Sequence, residues 1–165
     1  MSKETVIRAD LTVIGGGVAG ICADVAAARG GLSVALINDR SVLGGVASSE
    51  LGITITGAAG GSRGSSASVY AREGGLVEEL KLKIFAYGET PDRAGTAAPM
   101  RSAAFLDFVC REPNIRLYLG TVVQDTEAAD RQIRAVRGVQ LGSEAHFRFE
   151  SPLFVDATGD GTVAA

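Results

Sequence analysis

The chain carries the stretch Leu11-Thr12-Val13-Ile14-Gly15-Gly16-Gly17-Val18-Ala19-Gly20, in which a short apolar run ends in glycines. A run of this kind predicts a buried parallel strand at 11–14. Residues 18–29 are rich in alanine and free of helix breakers, and Gly30-Gly31 supplies a typical helix stop, so a helix is predicted between them. A second apolar run follows at 33–37. Strand, helix and strand in this order make a β-α-β unit.

The glycines of this unit have the spacing G-x-G-x-x-G, with Gly15, Gly17 and Gly20 in the three glycine positions. In that pattern the first glycine permits a tight turn, the second lets backbone approach a pyrophosphate, and the third lets the helix pack closely on the strand. The pyrophosphate is bound by the N-terminus of the helix, which here begins with Val18 and Ala19. No Gly-Lys-Ser/Thr follows, which excludes a P-loop. The stretch therefore predicts a dinucleotide-binding site.

The adenosine ribose in such sites is bound by an acidic residue about 20 residues further on. This chain has Asn38 at that position, followed by Asp39 and Arg40. Two alternatives follow: Asn38 accepts the ribose hydrogen bond without the strength that a charge adds, or Asp39 takes over the contact. Arg40 could meet a 2′-phosphate and so favour NADP, although a solvated surface arginine is the simpler explanation.

The rest of the chain mixes helical and extended patterns. Glycine, serine and other small residues dominate 40–68, a length that suggests a ligand-wrapping loop in a compact domain. Apolar spacing predicts helices around 76–84 and 104–109, with a loop at 88–99 between them. Extended segments are predicted at 115–119, 121–126, 133–141, 145–149 and 153–156. The middle three form an antiparallel meander, inserted in an α/β fold with a Rossmann-like parallel sheet and flanking helices.

Length and composition limit the function classes. With 165 residues, 46% hydrophobic and 21% charged, the chain fits one well-buried domain. A net charge of −3 argues against nucleic acid as a partner, and no apolar run reaches the ~20 residues of a membrane span. The first residues show no signal-peptide pattern. Cys22 and Cys110 are isolated thiols, which predicts a reducing, cytoplasmic location and argues against a metal site or disulfides.

Three blocks of the sequence stand in a specific order: DLTVIGGGVAG (10–20), DRSVLGGVASSE (39–50) and FVDATGDG (154–161). Together they resemble the FAD-dependent oxidoreductases of the heterodisulfide-reductase-A-like group, flavoproteins with a two-dinucleotide-binding fold. The segment REGGLVEEL (72–80) is also similar to one that is common in that group. The resemblance spans nearly the whole chain. It implies an FAD-binding domain over 1–165, truncated from a longer enzyme, with the substrate domain absent from this chain.

The resemblance also implies where FAD lies. The pair matching Gly44 and Gly45 runs along its ribityl and flavin side, with Ser48 and Ser49 close by. Val123, in the segment 121–123, offers backbone to the adenine. The third block passes close to the cofactor through Ala157, Thr158, Gly159 and Asp160. Relatives in this group often hold an iron–sulfur cluster, which normally needs four cysteines, so a chain with two cannot hold one by itself.

The predicted function is hydride or electron transfer through a bound flavin, between a small-molecule substrate and an electron acceptor that no residue identifies. No catalytic side chain is assigned. His146 is interpreted as a solvent-facing strand residue without a partner for general-base work, and the serines at 62–68 lack a nucleophile elbow. Two other functions stay open: a non-catalytic nucleotide-binding module, and an NAD(P)-linked dehydrogenase domain that reads the ribose with Asp39 or Arg40.

Overall fold

The computed structural model describes residues 4–55, 73–88, 98–161 and 163, which form two four-stranded sheets and three α-helices. The strands are β1 (Thr5–Arg8), β2 (Leu11–Ile14), β3 (Val34–Ile37), β4 (Ile115–Tyr118), β5 (Thr121–Ala129), β6 (Gln132–Gln140), β7 (Ala145–Glu150) and β8 (Leu153–Asp156). The helices are α1 (Val18–Arg29), α2 (Gly75–Ala86) and α3 (Ala98–Cys110), and a 3₁₀ turn covers Gly45–Ala47. None of these helices is long and apolar enough to cross a membrane.

The first sheet is the predicted parallel one, with the strand order β4-β3-β2-β8. Its central strands are apolar on both sides because both sides are covered. Val13 and Leu36 pack against the three helices, whereas Ile14 and Ile37 pack against the second sheet. The chain moves outward from β2 to β3 and β4, then returns to the other side of β2 as β8. The strand order therefore reverses between β2 and β8.

The second sheet contains the predicted antiparallel meander of β5, β6 and β7. Its remaining strand, β1, pairs in parallel with β7 and was not predicted. The reason is physical: β1 has four residues, three of them exposed, and its partner lies at the other end of the chain. A short, half-polar strand gives no clear period in the sequence, and only the folded meander offers it a place to pair.

An aromatic cluster joins the two sheets. The ring of Tyr118, at the end of β4, packs edge-on against Phe147 and Phe149 of β7, with centroids 5.4 Å and 4.9 Å apart. Phe149 is fully buried, and Ile14 and Val136 complete the same apolar cluster. Edge-to-face pairs of this kind add to the stability that apolar burial provides.

The helices agree with the predicted ones and extend beyond two of them. α1 has the predicted ends, and Gly31 after it adopts a φ of +93°, which glycine tolerates at a helix stop. α2 and α3 begin and end outside 76–84 and 104–109. Beyond residue 55, the loop predicted at 40–68, with the serines at 62–68, lies outside the described residues, as does most of the loop predicted at 88–99.

α1 also contains a buried acid, Asp24. Its side chain is fully buried, and neither carboxylate oxygen has a hydrogen-bond partner among the described residues. Burial, with a smaller contribution from the negative charge of Glu112, raises the pKa of Asp24 to about 8. Asp24 therefore stays protonated in the folded protein at neutral pH. Helical spacing could have revealed it, because Asp24 follows Ile21 by three residues and precedes Ala28 by four, both buried.

Candidate dinucleotide-binding groove

A groove of about 580 Å³ lies at the carboxyl ends of β2, β3 and β8. This is the place where the strand order reverses, and open α/β sheets bind their ligands there. Six segments line the groove: the glycine turn (15–17) with Ile14 before it, the start of α1 (18–19), the end of β3 with the residues after it (37–40), both ends of the Gly-Gly loop (44–51), the start of β5 (121–123) and the third loop (157–160). Its volume is in the range of small-molecule and cofactor sites.

The three glycines of the motif have different roles in the structure. Gly15 has a φ of +103°, and a Cβ on it would lie 2.6 Å from the Ala157 carbonyl group. A Cβ on Gly20 would overlap the Gly15 carbonyl oxygen. A Cβ on Gly17, by contrast, would meet no protein atom within 4 Å. The fold thus requires the first and third glycines, whereas the second leaves space on the groove side for a ligand.

The N-terminus of α1 faces the groove through Val18 and Ala19. Gly17 is the N-cap, no side chain caps the helix, and the first turn has no acidic residue. The first N–H groups of an α-helix have no partner within the helix. Together with the helix dipole they favour an anion, so this end of the groove fits a pyrophosphate.

Asn38 lies in the groove wall but is only 6% exposed, and the three hydrogen bonds of its side chain are all with backbone atoms. Its Oδ1 accepts a hydrogen bond from the Gly16 N–H at 3.0 Å. Its Nδ2 donates to the carbonyl oxygens of Arg40 at 3.1 Å and Val42 at 2.9 Å. Both amide protons are therefore engaged, and the partners themselves define which atom is nitrogen and which is oxygen.

The next two side chains stand at the rim of the groove. Asp39 is 62% and Arg40 63% exposed; the Arg40 guanidinium is 3.6 Å from the Asp39 carboxylate and 3.7 Å from that of Glu50. Exposed pairs at these distances are weak, so both groups remain accessible to a ligand. Of the two residues proposed for the ribose contact, Asp39 is the one with an accessible carboxylate.

The Gly-Gly loop runs beside the glycine turn. The Gly44 N–H donates to the Gly16 carbonyl oxygen at 2.8 Å, and Gly17 and Gly44 form a parallel β-bridge. Gly44 has a φ of +113°, and a Cβ on it would overlap the ring of Phe105 in α3. A side chain at this position would push the loop away from α3, which explains why glycine is needed here.

α3 holds the same loop through polar contacts that were not predicted from the sequence. The buried Arg101 donates from Nη1 to the carbonyl oxygens of Ala47 at 3.2 Å and Ile53 at 2.9 Å. The Ser102 hydroxyl accepts from the Ser49 N–H at 2.8 Å. One signal was available: Arg101 lies one helical turn before the core residue Phe105, on the same helix face.

The third loop is fixed by the end of β8. The Ala157 N–H donates to the Ile14 carbonyl oxygen at 2.8 Å, so the loop starts beside the glycine turn. The Asp156 carboxylate accepts from the Thr158 N–H at 3.0 Å and from its hydroxyl at 2.7 Å. This local turn sets the path of Gly159 and Asp160 along the groove.

Most of the residues proposed from the sequence come together in this groove: Gly15, Gly17, Val18, Ala19, Asn38, Asp39, Arg40, Gly44, Gly45, Val123, Ala157, Thr158, Gly159 and Asp160. Three proposed residues do not line it. Gly20 packs against Gly15, Ser48 is buried behind the loop, and Ser49 contacts Ser102. Thr121 and Val122, from the proposed segment 121–123, also line the groove, and the lining residues that were not proposed are Ile14, Gly16, Ile37, Val46, Glu50 and Leu51. The residues that were not proposed are mostly sequence neighbours of proposed ones, and the fold determines which of them face the groove.

A larger, open recess of about 910 Å³ lies between β1, β6, β7 and β8. Three of the charged side chains that line it form ion pairs: Arg8 with Glu150 at 2.9 Å, and Arg148 with Glu150 and with Glu127, which lies outside the recess. None of the described residues that line it is a glycine. It therefore offers no close backbone approach to a ligand. Elsewhere in the described chain, no group of three His, Cys, Asp or Glu side chains could hold a metal ion.

Over residues 10–165 the sequence matches the protein family described as FAD dependent oxidoreductase. The chain belongs to this family. FAD is the cofactor that the family name states, and the glycine-lined groove with its uncapped helix N-terminus fits such a dinucleotide. A comparison of the sequence with curated proteins finds no match.

Several solved enzyme structures resemble this family member in fold. An L-proline dehydrogenase from P. horikoshii has a TM-score of 0.55 and 21% identity, over 96% of this chain and 24% of that one. A mutant form of E. coli quinol fumarate reductase FrdA has a TM-score of 0.59 and 18% identity, over 94% and 33%. Adenylylsulfate reductase from Archaeoglobus fulgidus has a TM-score of 0.57 and 17% identity, over 96% and 31%. The chain thus spans between about a quarter and a third of their length.

Proposed function

We propose that the groove binds FAD in an extended form and that the whole protein transfers hydride or electrons between a small-molecule substrate and an acceptor. The observation that carries this proposal is the pairing of the two glycine segments, in which Gly17 lies beside Gly44 in a parallel β-bridge. Backbone without side chains then lines the site from the helix N-terminus to the Gly-Gly loop. When bound, FAD supplies the redox chemistry, and the residues of this chain bind and orient it.

Each wall has a proposed role. The N–H groups of Val18 and Ala19 bind the pyrophosphate, and the Asp39 carboxylate accepts hydrogen bonds from the adenosine ribose. Backbone of Val123 lies beside the adenine. Gly45, which has no side chain and lines the groove, lies along the ribityl chain, and the exposed apolar side chains of Val46 and Leu51 border the flavin end.

A glycine substitution tests the site without disturbing the fold. Gly17→Ala places a methyl group where no protein atom lies within 4 Å and where φ is −70°, so the protein should fold normally. The methyl group would occupy the space of the pyrophosphate, and we expect the Kd for FAD to rise about tenfold or more. Gly15→Ala is the matched control: it strains the turn against Ala157 and should lower stability as well.

The measurement is flavin absorbance of the purified protein, with the released cofactor identified by chromatography and the Kd obtained by titration of FAD into the cofactor-free protein. A yellow protein that releases FAD supports the proposal. A colourless protein that binds NADH instead would favour the NAD(P)-linked dehydrogenase. FAD binding without any reduction of the flavin by candidate reductants would favour a non-catalytic module.

The finer assignment to the heterodisulfide-reductase-A-like group is part of this proposal, supported by the order of the three blocks in the sequence. Cys22 and Cys110 are free thiols far apart in the chain, so any cluster ligands would come from another segment or another protein. Iron analysis of the full-length protein tests this point. The cytoplasmic location, which the two thiols suggest, stays a prediction.

A further inference from the structure

We propose that Asn38 is a positioning residue that fastens the glycine turn to the Gly-Gly loop, and that it does not bind the ribose. This inference rests on the proposed FAD site. The residue occupies the sequence position at which an acid usually contacts ribose, but its environment differs from that of a ligand-binding side chain.

The contacts of Asn38 connect three segments of the groove. Oδ1 holds the Gly16 N–H, in the middle of the glycine turn. Nδ2 holds the carbonyl oxygens of Arg40 and Val42, on the path from β3 to Gly44. Its backbone adds two connections: the Asn38 N–H donates to the Tyr118 carbonyl oxygen at 3.0 Å, and the Asn38 carbonyl oxygen accepts from the Thr121 N–H at 2.9 Å, at the start of β5.

Only a neutral amide satisfies these contacts. They require one acceptor and two donors in one planar group, and a carboxylate has no donor. An aspartate at this position would keep the bond from Gly16 but would face two carbonyl oxygens at about 3 Å with a negative charge. The same charge would repel a pyrophosphate at the nearby helix N-terminus. The acid that ribose binding needs is one residue further on, at Asp39, where the side chain is exposed.

The two roles predict opposite effects of Asn38→Asp. If Asn38 bound the ribose, an aspartate would restore the usual acid and would tighten FAD binding or leave it unchanged. If Asn38 positions the turn, the Kd for FAD should rise about tenfold or more at neutral pH. Protonation of the new carboxyl group returns one donor, so the affinity of this variant should recover as the pH is lowered, while that of the wild-type protein changes little.

Asp39→Asn is the matched control. It should weaken FAD binding several-fold because it removes the charge from the ribose contact. Unlike the effect of Asn38→Asp, this loss of affinity should be the same at low and neutral pH. The melting temperature of the FAD-free protein should not change. A tighter Kd for Asn38→Asp, or the absence of its pH-dependent recovery, would overturn the proposal.

A second measurement needs no variant. In the FAD-free wild-type protein labelled with ¹⁵N, the Asn38 side-chain NH₂ and the Gly16 amide should exchange slowly with solvent, because both are held in hydrogen bonds. Rapid exchange of both would contradict the positioning role. If the wild-type protein binds no FAD, the proposed function fails, whereas this exchange measurement still tests the role of Asn38.

Discussion

Asn38 and Asp24 are both buried polar side chains of the same β-α-β unit, yet their surroundings are opposite. Asn38 has a partner for each polar atom, whereas neither oxygen of Asp24 has a partner among the described residues. A buried polar group with all its hydrogen bonds fixes the position of the segments that it joins. One without partners costs free energy and is tolerated only when it is neutral. This difference predicts that replacing Asn38 lowers the free energy of unfolding, whereas replacing Asp24 raises it.

The largest effect is expected for Asn38→Leu. This change removes three hydrogen bonds and leaves the Gly16 N–H and the Val42 carbonyl oxygen without protein partners, while the Arg40 carbonyl oxygen keeps the hydrogen bond from the Gly120 N–H at 3.1 Å. At about 1–3 kcal/mol for each buried group left unsatisfied, we expect a loss of about 3–5 kcal/mol in the free energy of unfolding, measured by denaturant titration. A loss under about 1 kcal/mol would mean that water replaces the amide and that the contrast with Asp24 is weaker than the contacts indicate.

The reverse change is expected at Asp24. Asp24→Ala removes a buried carboxyl group and introduces the residue with the best helix propensity, so the free energy of unfolding at pH 6 should rise by about 2 kcal/mol. Asp107→Ala is the control, because that acid lies 2.6 Å from Lys83 and 3.0 Å from Arg111. Removing it should not stabilise the protein. A destabilised Asp24→Ala protein would indicate a partner for this carboxyl group.

The pH dependence of the Asp24→Ala effect tests whether the buried Asp24 carboxyl group is neutral in the folded protein. The folded protein keeps the Asp24 proton up to about pH 8, whereas the unfolded chain releases it near its ordinary pKa of about 4. Between these two pH values the folded state therefore binds more protons at Asp24 than the unfolded chain does. As the pH rises through this range, the contribution of Asp24 to the free energy of unfolding of the wild-type protein falls. The advantage of Asp24→Ala should grow by about 1 kcal/mol per pH unit between pH 5 and 7. A constant difference would place the pKa of Asp24 at its ordinary value.

The smallest effect is expected for Arg40→Ala. The Asn38 side chain donates a hydrogen bond to the backbone carbonyl oxygen of Arg40, so the Arg40 side chain takes no part in that contact. The Arg40 guanidinium is mostly exposed. We expect a change within about 0.5 kcal/mol in the free energy of unfolding. A larger loss would show that the weak pairs with Asp39 and Glu50 support the turn, and that Asn38 does not act alone.

Local patterns in the sequence predicted much of the fold. The β2-α1-β3 unit, the meander and β8 follow from apolar runs, alanine content and glycines within a few residues of each other. β1 could not be predicted in this way, since its four residues acquire a strand conformation only beside β7. The site shows the same division. The glycine spacing predicted a turn at Gly15 and Gly17, which line the groove in the structure. The partners of Asn38, by contrast, depend on how three separate backbone segments meet.

The acid at position 24 and the arginine at position 101 belong to an intermediate case. Helical spacing puts both on core-facing sides of their helices, so their burial was predictable. What each contacts was not, because Ala47 and Ile53 approach Arg101 only once the Gly-Gly loop has folded against α3. Sequence patterns thus predict which side of an element is buried, while hydrogen-bond partners across elements require the tertiary structure.

The aromatic cluster between the two sheets gives this protein an intrinsic optical probe. The chain has no tryptophan and three tyrosines, and Tyr118 is wedged between Phe147 and Phe149. Its emission therefore responds to separation of the meander from the parallel sheet, an event distinct from loss of the parallel sheet itself. Comparison with a Tyr118→Phe protein would isolate that signal, so that separation of the meander from the parallel sheet could be followed over time without an attached dye.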